Sequence, residues 1–388
     1  MTVDSRARYI MIGGFLGAGK STAVGRLARR LTDRGLRLGL ITNDQGRGLV
    51  DTRSLRHQGF NVEEIAGGCF CCRFDSLKTA ADRLTAAERP DVFIAEPVGS
   101  CTDLVATVSY PLRRLYGDSF EIAPLSVMVD PVRCARVLGL EEGRKFSAKV
   151  SYVYEKQLEE ANVLVINKTD LLGADKLATL RAELERRYPG RPIFEVQARS
   201  DDDGDNGLDA WFDYVERETI PHHPTLEIDY QLYGEGEALL GWLNATLQLD
   251  APAELDGNAW TEGFARRLQA RLQAAGAEVA HLKMTLSPIE ECGAASNVAM
   301  PGDLALINLV NNDFVPELSE RLAAPIQSGQ LVVNLRAEAA PTLLREALDA
   351  EVTAESRLEL EHVECFEPGQ PKPTHRMDYA SEPAGAGS

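Results

Sequence analysis

Cysteine is scarce and oddly counted, with seven in 388 residues. Three of the seven crowd into four positions, as Cys69, Cys71 and Cys72. An odd number bunched in this way does not build a disulfide scaffold, and reduced thiols in a cytoplasmic compartment are expected. Long apolar runs are missing too. No stretch approaches the roughly 20 residues that a bilayer span needs, so no membrane partner is expected. Residues 1–8 are polar and run straight into the apolar Tyr9-Ile10-Met11-Ile12, with no separate signal segment. Basic residues are the minority, 41 Lys and Arg against 59 Asp and Glu, for a net charge of −18. That argues against a nucleic-acid partner, whose backbone calls for clustered cations. Basic, protein or metal-ion partners fit the acidity, which identifies none of them.

What is present is enough apolar residue, 44%, to fill the cores of two or three domains. Up to about residue 220, short apolar runs alternate with amphipathic stretches, the pattern of a mostly parallel sheet with helices on both faces. Strands are expected at 8–13, 37–42, 60–65, 91–96, 124–130, 162–167 and 193–197, and helices at 20–34, 73–88, 151–160 and 174–188. The acidic run at 201–207 reads as a solvated loop without the ligand spacing of a calcium loop. Pro221-His222-His223-Pro224 reads as a linker, because each proline biases its neighbour away from helix. A smaller α+β domain is expected over 226–366. It begins with a strand at 226–233 and a helix around 235–245. Helix 259–276, strands 278–286, 303–310 and 330–336, helix 341–350 and strand 357–366 follow, in two β-α-β halves. Residues 367–388, rich in Pro, Gly, Ser and Ala, are expected to form a flexible tail.

The first strand leads into Gly14-Phe15-Leu16-Gly17-Ala18-Gly19-Lys20-Ser21-Thr22, a G-x-x-x-x-G-K-[ST] phosphate loop ahead of a helix. Glycines let backbone N–H groups turn onto phosphate oxygens, and the helix N-terminus adds positive charge. Lys20 supplies an ammonium to the β- and γ-phosphates, and Ser21 a hydroxyl to Mg2+. Strand 91–96 ends in Glu96, placed to hold Mg2+ directly or through water, and Gly99 follows with an N–H for the γ-phosphate. Late in the domain, Asn167-Lys168-Thr169-Asp170 follows the apolar strand Val163-Leu164-Val165-Ile166. The Asp170 carboxylate can accept two donors from guanine that adenine lacks, and Lys168 can lie over the base, so GTP is favoured over ATP. A small-molecule kinase would use the same loop but would gain nothing from the tetrapeptide.

Cys69-Phe70-Cys71-Cys72 lies between a strand end and a helix start, where the thiolate form is favoured. Soft thiolates suit Zn2+ and also take Co2+ or Ni2+. Three thiols from one short segment leave a corner open, unlike a closed structural site with two ligand pairs. Three small buried hydrophobes or a redox pair is the alternative. Cys101 could complete the shell or be a buried structural thiol, while Cys134 and Cys292 read as core. His362 and Cys365, in His362-Val363-Glu364-Cys365, could form a second soft site with His375. His57, His222 and His223 read as surface residues.

Together the phosphate loop, Gly68-Cys69-Phe70-Cys71-Cys72 and Asn167-Lys168-Thr169-Asp170 resemble the CobW-like family of phosphate-loop GTPases. The resemblance covers residues 8 to about 215. It implies a magnesium-dependent GTPase that carries a transition metal to a client metalloprotein or cofactor-assembly enzyme. A GTPase activator that gates cofactor loading or repair is the other role it implies. By that resemblance Cys69, Cys71 and Cys72 hold the metal, metal and nucleotide occupancy are coupled, and a nucleotide-dependent homodimer is a further expectation. The chain departs from the family at Asn43-Asp44-Gln45-Gly46, where Asn-Glu-Phe-Gly is common, and at Glu96-Pro97-Val98-Gly99, where Glu-Thr-Thr-Gly is usual. It also lacks the histidine-rich stretch of many relatives.

Overall fold

Strand β1 (Ala7–Gly14) is buried along almost its whole length and feeds directly into the phosphate loop. Helix α1 (Lys20–Asp33) follows, with Ala23, Val24, Leu27, Ala28 and Leu31 forming the buried stripe that holds it against the sheet. The computed structural model describes residues 6–43, 50–200, 206–222, 224–289 and 303–379. Thus Asp44-Gln45-Gly46, the acids of the 201–205 loop, His223 and Cys292 lie outside the described residues.

After β2 (Leu38–Asn43) come α2 (Val50–His57), β3 (Val62–Ile65), α3 (Phe74–Ala87) and β4 (Val92–Glu96). A short π-helix, Val105–Ser109, runs into α4 (Tyr110–Tyr116). Then follow β5 (Phe120–Ile122), β6 (Ser126–Val129), α5 (Pro131–Val137), α6 (Ala148–Glu160) and β7 (Val163–Ile166). The series ends with α7 (Ala174–Arg187), β8 (Ile193–Glu195) and α8 (Leu208–Arg217). The strands pair in parallel in the order β3-β2-β4-β1-β6-β7-β8, with β5 beside β1. This is the doubly covered α/β sheet of the phosphate-loop type. All four helices expected from periodicity are present. Helices α2, α4 and α5 are too short to show a clear period, whereas α8, unexpected too, carries one in Leu208, Trp211, Phe212 and Val215.

By contacts the chain divides into two units. The first takes the described residues of Met1–Gln45, Phe60–Tyr233 and Gln370–Ser388, and the second those of Gly46–Gly59 and Gly234–Gly369. These bounds cross those read from the sequence. Residues 370–379, expected in a mobile tail, carry backbone hydrogen bonds in the first unit, such as Met377 N–H to the Ala106 carbonyl at 2.8 Å. Their polarity hid this, since the segment is held by backbone and charge instead of an apolar face.

The second sheet is antiparallel, built from β9 (Leu240–Leu255), β10 (Glu278–Pro288), β11 (Ala305–Leu309), β12 (Glu317–Glu320), β13 (Ile326–Glu338) and β14 (Leu358–Phe366). Its order is β12-β11-β10-β13-β9-β14. With α10 (Gly257–Ala274) after β9 and α11 (Pro341–Ala354) after β13, two β-α-β halves interleave as in ferredoxin-like folds. The β11-β12 hairpin extends one edge. Two expectations fail at its start. The stretch expected as strand 226–233 leads into a helix, α9 (Tyr230–Ala238), despite two glycines, and of the helix expected around 235–245 only the first turn lies in α9, residues 240–245 being the start of β9. Leu243, Ala245, Leu247 and Leu249 enter the core at a period of two, which settles β9 as a strand. Helix α2 belongs to this unit. Val50 is buried with Leu306 and Val332, and its N–H donates to Asn334 Oδ1 at 2.9 Å. Arg53 donates to Gln330, Ser54 to Glu320, and Lys283 pairs with Asp51.

Candidate functional site: a phosphate loop and a thiol cluster

The carboxyl ends of β1, β3 and β4 carry the loop, the thiols and Glu96, on the sheet edge where open α/β folds bind ligands. Gly14 has φ 125°, and a Cβ there would meet the Met128 carbonyl at 2.2 Å. Gly19 caps α1 in the left-handed region at φ 96°, with Asn167 Nδ2 only 2.3 Å from where its Cβ would stand. No acid occupies the first turn of α1 and no side chain caps it, which favours an anion at its amides. Gly17 and Ala18 complete the curve. Lys20 is buried with its ammonium 3.3 Å from the Phe15 carbonyl, while Thr22 is exposed. Ser21 Oγ donates to Glu96 Oε1 at 3.0 Å, so the expected hydroxyl and carboxylate are brought together. Gly99 packs against Leu16 of the loop, with its would-be Cβ 2.7 Å from a Leu16 methyl.

The Asn-Lys-Thr-Asp turn is built into the loop. Asn167 Nδ2 donates to the Ala18 carbonyl at 2.9 Å, and its Oδ1 accepts from Ala198 N–H at 3.0 Å. Lys168, left-handed at φ 57°, donates to the Gly17 carbonyl at 2.7 Å and pairs with Asp130 at 2.9 Å. Asp170 lies exposed at the start of a 3-10 turn, Thr169–Leu171.

Sequence reasoning missed Asp130 and Arg133. Asp130 caps α5 by accepting from Arg133 N–H at 3.0 Å, with Pro131 at the first helical position. Burial works to raise its pKa, yet the charges of Lys168 and Arg133 hold it below the ordinary carboxylate value. Arg133 Nη1 donates to the Leu16 carbonyl at 2.5 Å, so its guanidinium braces the loop. The strand-Asp-Pro signal after β6 could have marked the cap.

The three thiols converge. Cys69 Sγ lies 2.8 Å from Cys71 Sγ and 3.3 Å from Cys72 Sγ, and the last two are 3.7 Å apart. Cys69 and Cys71 are buried and Cys72 is half-buried. Hydrogen bonds with Cys101, Cys71 and Cys72 hold the Cys69 thiol well below its usual pKa. The interaction with Cys69 pushes Cys71 well up and Cys72 up to about 11. One thiolate shared among several thiols is the arrangement these shifts describe. Around a zinc ion with bonds of about 2.3 Å, tetrahedral sulfurs stand about 3.8 Å apart. The donor set fits after Cys69 and Cys71 spread by about an ångström.

Two connections tie this cluster to the nucleotide motifs. Asn43, at the end of β2, donates to the carbonyls of Ile65 at 2.9 Å and Gly68 at 2.7 Å, just ahead of Cys69. Beyond Glu96 the chain runs through Gly99 to Cys101. Gln157 Nε2 spans both, donating to their carbonyls at 3.0 and 2.8 Å. The next residues are anchored in turn. Tyr233 Oη accepts from Thr102 N–H at 3.1 Å, and buried Glu160 accepts from Leu104 N–H at 2.6 Å.

The second soft site does not assemble. Among the described residues, Cys69, Cys71 and Cys72 form the one group of three such donors close enough for one ion. His362 is exposed beside Glu364, Cys365 packs against the core of the second unit, and His375 lies edge-on to Phe74 at 5.0 Å. Cys134 is fully buried as expected, His222 is exposed, and His57 is partly buried at the end of α2.

Residues 8–195 match the family model described as CobW/HypB/UreG, nucleotide-binding domain. The chain carries a CobW/HypB/UreG nucleotide-binding domain. A zinc chaperone CobW from Sinorhizobium sp is 29% identical over 209 residues, covering 49% of this chain and 58% of the relative. The zinc-regulated GTPase metalloprotein activator 1 of Dictyostelium discoideum is 22% identical over 207 residues, 46% of this chain and 43% of that protein. This chain therefore spans about half the length of the curated relatives it matches. Among solved structures, the Zn(II)-bound YjiA GTPase from E. coli aligns at a TM-score of 0.36 and 14% identity, over 89% of this chain and 98% of that one. Among the described residues no helix is long and apolar enough to cross a membrane.

Proposed function

We propose that this protein is a GTP-hydrolysing metallochaperone that carries zinc, with cobalt or nickel as competing cargo, on Cys69, Cys71 and Cys72. The observation that carries the reading is the eight-residue run from Glu96 to Asp103. It starts at the Ser21 hydroxyl and passes Cys101, whose thiol hydrogen-bonds to Cys69. A change at the nucleotide therefore has a route along the chain to Cys101 and from there across one hydrogen bond to the metal thiols. The Sinorhizobium relative's name, zinc chaperone, supports zinc as the cargo. Activation of a client metalloprotein is the second reading, favoured by the name of the Dictyostelium relative.

In this reading the loop amides, Lys20 and the α1 N-terminus hold the triphosphate, and Asp170 reads guanine. Ser21 and Glu96 hold Mg2+, which neutralises charge on the phosphates when bound. Gly99 offers its N–H to the γ-phosphate, so hydrolysis removes one anchor of the Glu96–Asp103 run. Asn43 gives the first switch a second hold on the thiol segment. The protein works in the cytoplasm on a client protein, without nucleic acid or membrane, and pairing of two copies through nucleotide is a further element.

Zinc competition with a chromogenic chelator, in the presence of GTP analogue or GDP, tests the reading. The expected result is a difference in zinc affinity of about 5–150-fold, with zinc shifting nucleotide affinity by the same factor. Equal affinities in both states, or zinc binding that survives serine at all three cysteines, would overturn it.

A further inference from the structure

The segment after β14 returns to the first unit and runs along the thiol cluster. Lys372 N–H donates to Cys72 Sγ at 3.1 Å. Thr374 N–H donates to the Cys71 carbonyl at 2.8 Å, and its hydroxyl to the Cys72 carbonyl at 3.3 Å. His375 sets its ring edge on Phe74, the first residue of α3. Three bonds from two residues, Lys372 and Thr374, thus fall on the two cysteines that close the thiol segment.

The same segment is latched a few residues on. Arg376 Nε donates to Asp103 Oδ2 at 2.8 Å and Nη2 to the Leu226 carbonyl at 2.6 Å. Asp103 is fully buried, sits at φ 63° and also accepts from the Tyr230 hydroxyl. Holding a non-glycine residue there strains the backbone, which its surroundings must outweigh. Met377 N–H then bonds the Ala106 carbonyl inside the π-helix, a type of bulge that recurs at functional sites. Arg113 closes the run by donating to the Tyr379 carbonyl, with its guanidinium 3.8 Å from the Tyr379 ring centroid.

We propose that residues 371–379 are a removable wall of the thiol site, latched by Arg376 on Asp103, which sets the Cys72 sulfur and controls its exposure to an incoming metal or client ligand. A wall that only filled space would be apolar. This one spends its donors on a sulfur and two carbonyls, and its latch joins an arginine partly in water to a buried carboxylate that keeps the Tyr230 hydroxyl when the arginine leaves. Removal of the Lys372 N–H leaves Cys72 accessible as the outermost of the three thiols. The assignment rests on the metallochaperone reading only for what enters; the wall itself is tested without metal.

The experiment measures the rate of thiol labelling by a bulky aromatic disulfide, with the modified cysteine located by mass spectrometry. It uses the metal-free, nucleotide-free full chain, a chain ended after Gly369, and Arg376→Ala. Cys72 is expected to label at least ~10-fold faster in the shortened chain, with Arg376→Ala in between and GTP-analogue binding retained. Zinc-loaded Arg376→Ala should also surrender its metal to a chelator faster than the wild type. If the shortened chain loses nucleotide binding, Arg376→Ala alone decides. Wild-type labelling rates at Cys72 in Arg376→Ala would overturn the wall, whatever the zinc titration shows. A chain that fails to bind zinc but labels faster on unlatching would overturn the metal cargo and keep the wall.

Discussion

The side-chain amide of Asn43 donates to the Gly68 carbonyl at 2.7 Å, which fastens the end of β2 to the residue before the first thiol. It also holds the Ile65 carbonyl, so one amide sets the direction in which the thiol segment leaves β3. Asn43→Ala leaves both carbonyls without this donor and is expected to cost about 1–3 kcal/mol of stability. Zinc affinity should fall about 10–100-fold, the range for residues that orient metal ligands. Chelator competition alongside a thermal melt checks this, and unchanged zinc affinity in a folded variant would refute the orienting role.

Lys20→Ala removes the buried ammonium beside the Phe15 carbonyl. Triphosphate affinity and turnover should both drop by at least ~10²-fold, as expected when a preorganised cationic donor is lost. Near-normal GTP hydrolysis in a steady-state assay would end the phosphate-loop assignment.

Asp170→Asn should be almost silent in stability, since the residue is exposed, but should erode the preference for GTP over ATP. A competition titration with both nucleotides on wild type and variant reads the effect. Equal wild-type affinity for ATP and GTP would show the base assignment to be wrong.

Asp130 and Lys168 give a pH signature. The folded carboxylate has a lowered pKa, so its stabilising contribution is complete above the unfolded value near 3.9 and fades as pH falls through the folded one. Asp130→Asn removes the partner of Lys168 and the cap of α5, and should destabilise by about 3–5 kcal/mol at neutral pH. The gap between wild type and variant should narrow as pH falls below about 5 in denaturant unfolding. A gap independent of pH would mean that the charge of Asp130 does not contribute.

The first sheet was readable because its strands are apolar runs buried on both faces, and the phosphate loop and tetrapeptide because their spacing is set by one ligand. Glu96 and Ser21 were paired by strand-end logic alone. What escaped has a common cause. Arg133, Gln157 and Asp103 act through bonds to residues far along the chain, which no local period or motif announces, and so does the pairing of Asp130 with Lys168, although its cap had a local Asp-Pro signal. Strand β9 was misread because Ala238, Leu239 and Leu240 are strong helix formers, while its period of two shows only further on. The wall at 371–379 was missed because Pro, Lys and Thr look like a tail until their partners are known.

Helix α2 lies in sequence between two strands of the first sheet but packs on the second. A fragment cut at residue 220 would therefore keep the helix and lose the sheet that buries Val50. A fragment starting at 226 would keep the sheet and lose the helix. With the returning segment at 370–379 the polypeptide passes between the two units at four places. Such threading makes the halves poor candidates for exchange by a single splice, so recombination between relatives should succeed only when all the crossings travel together.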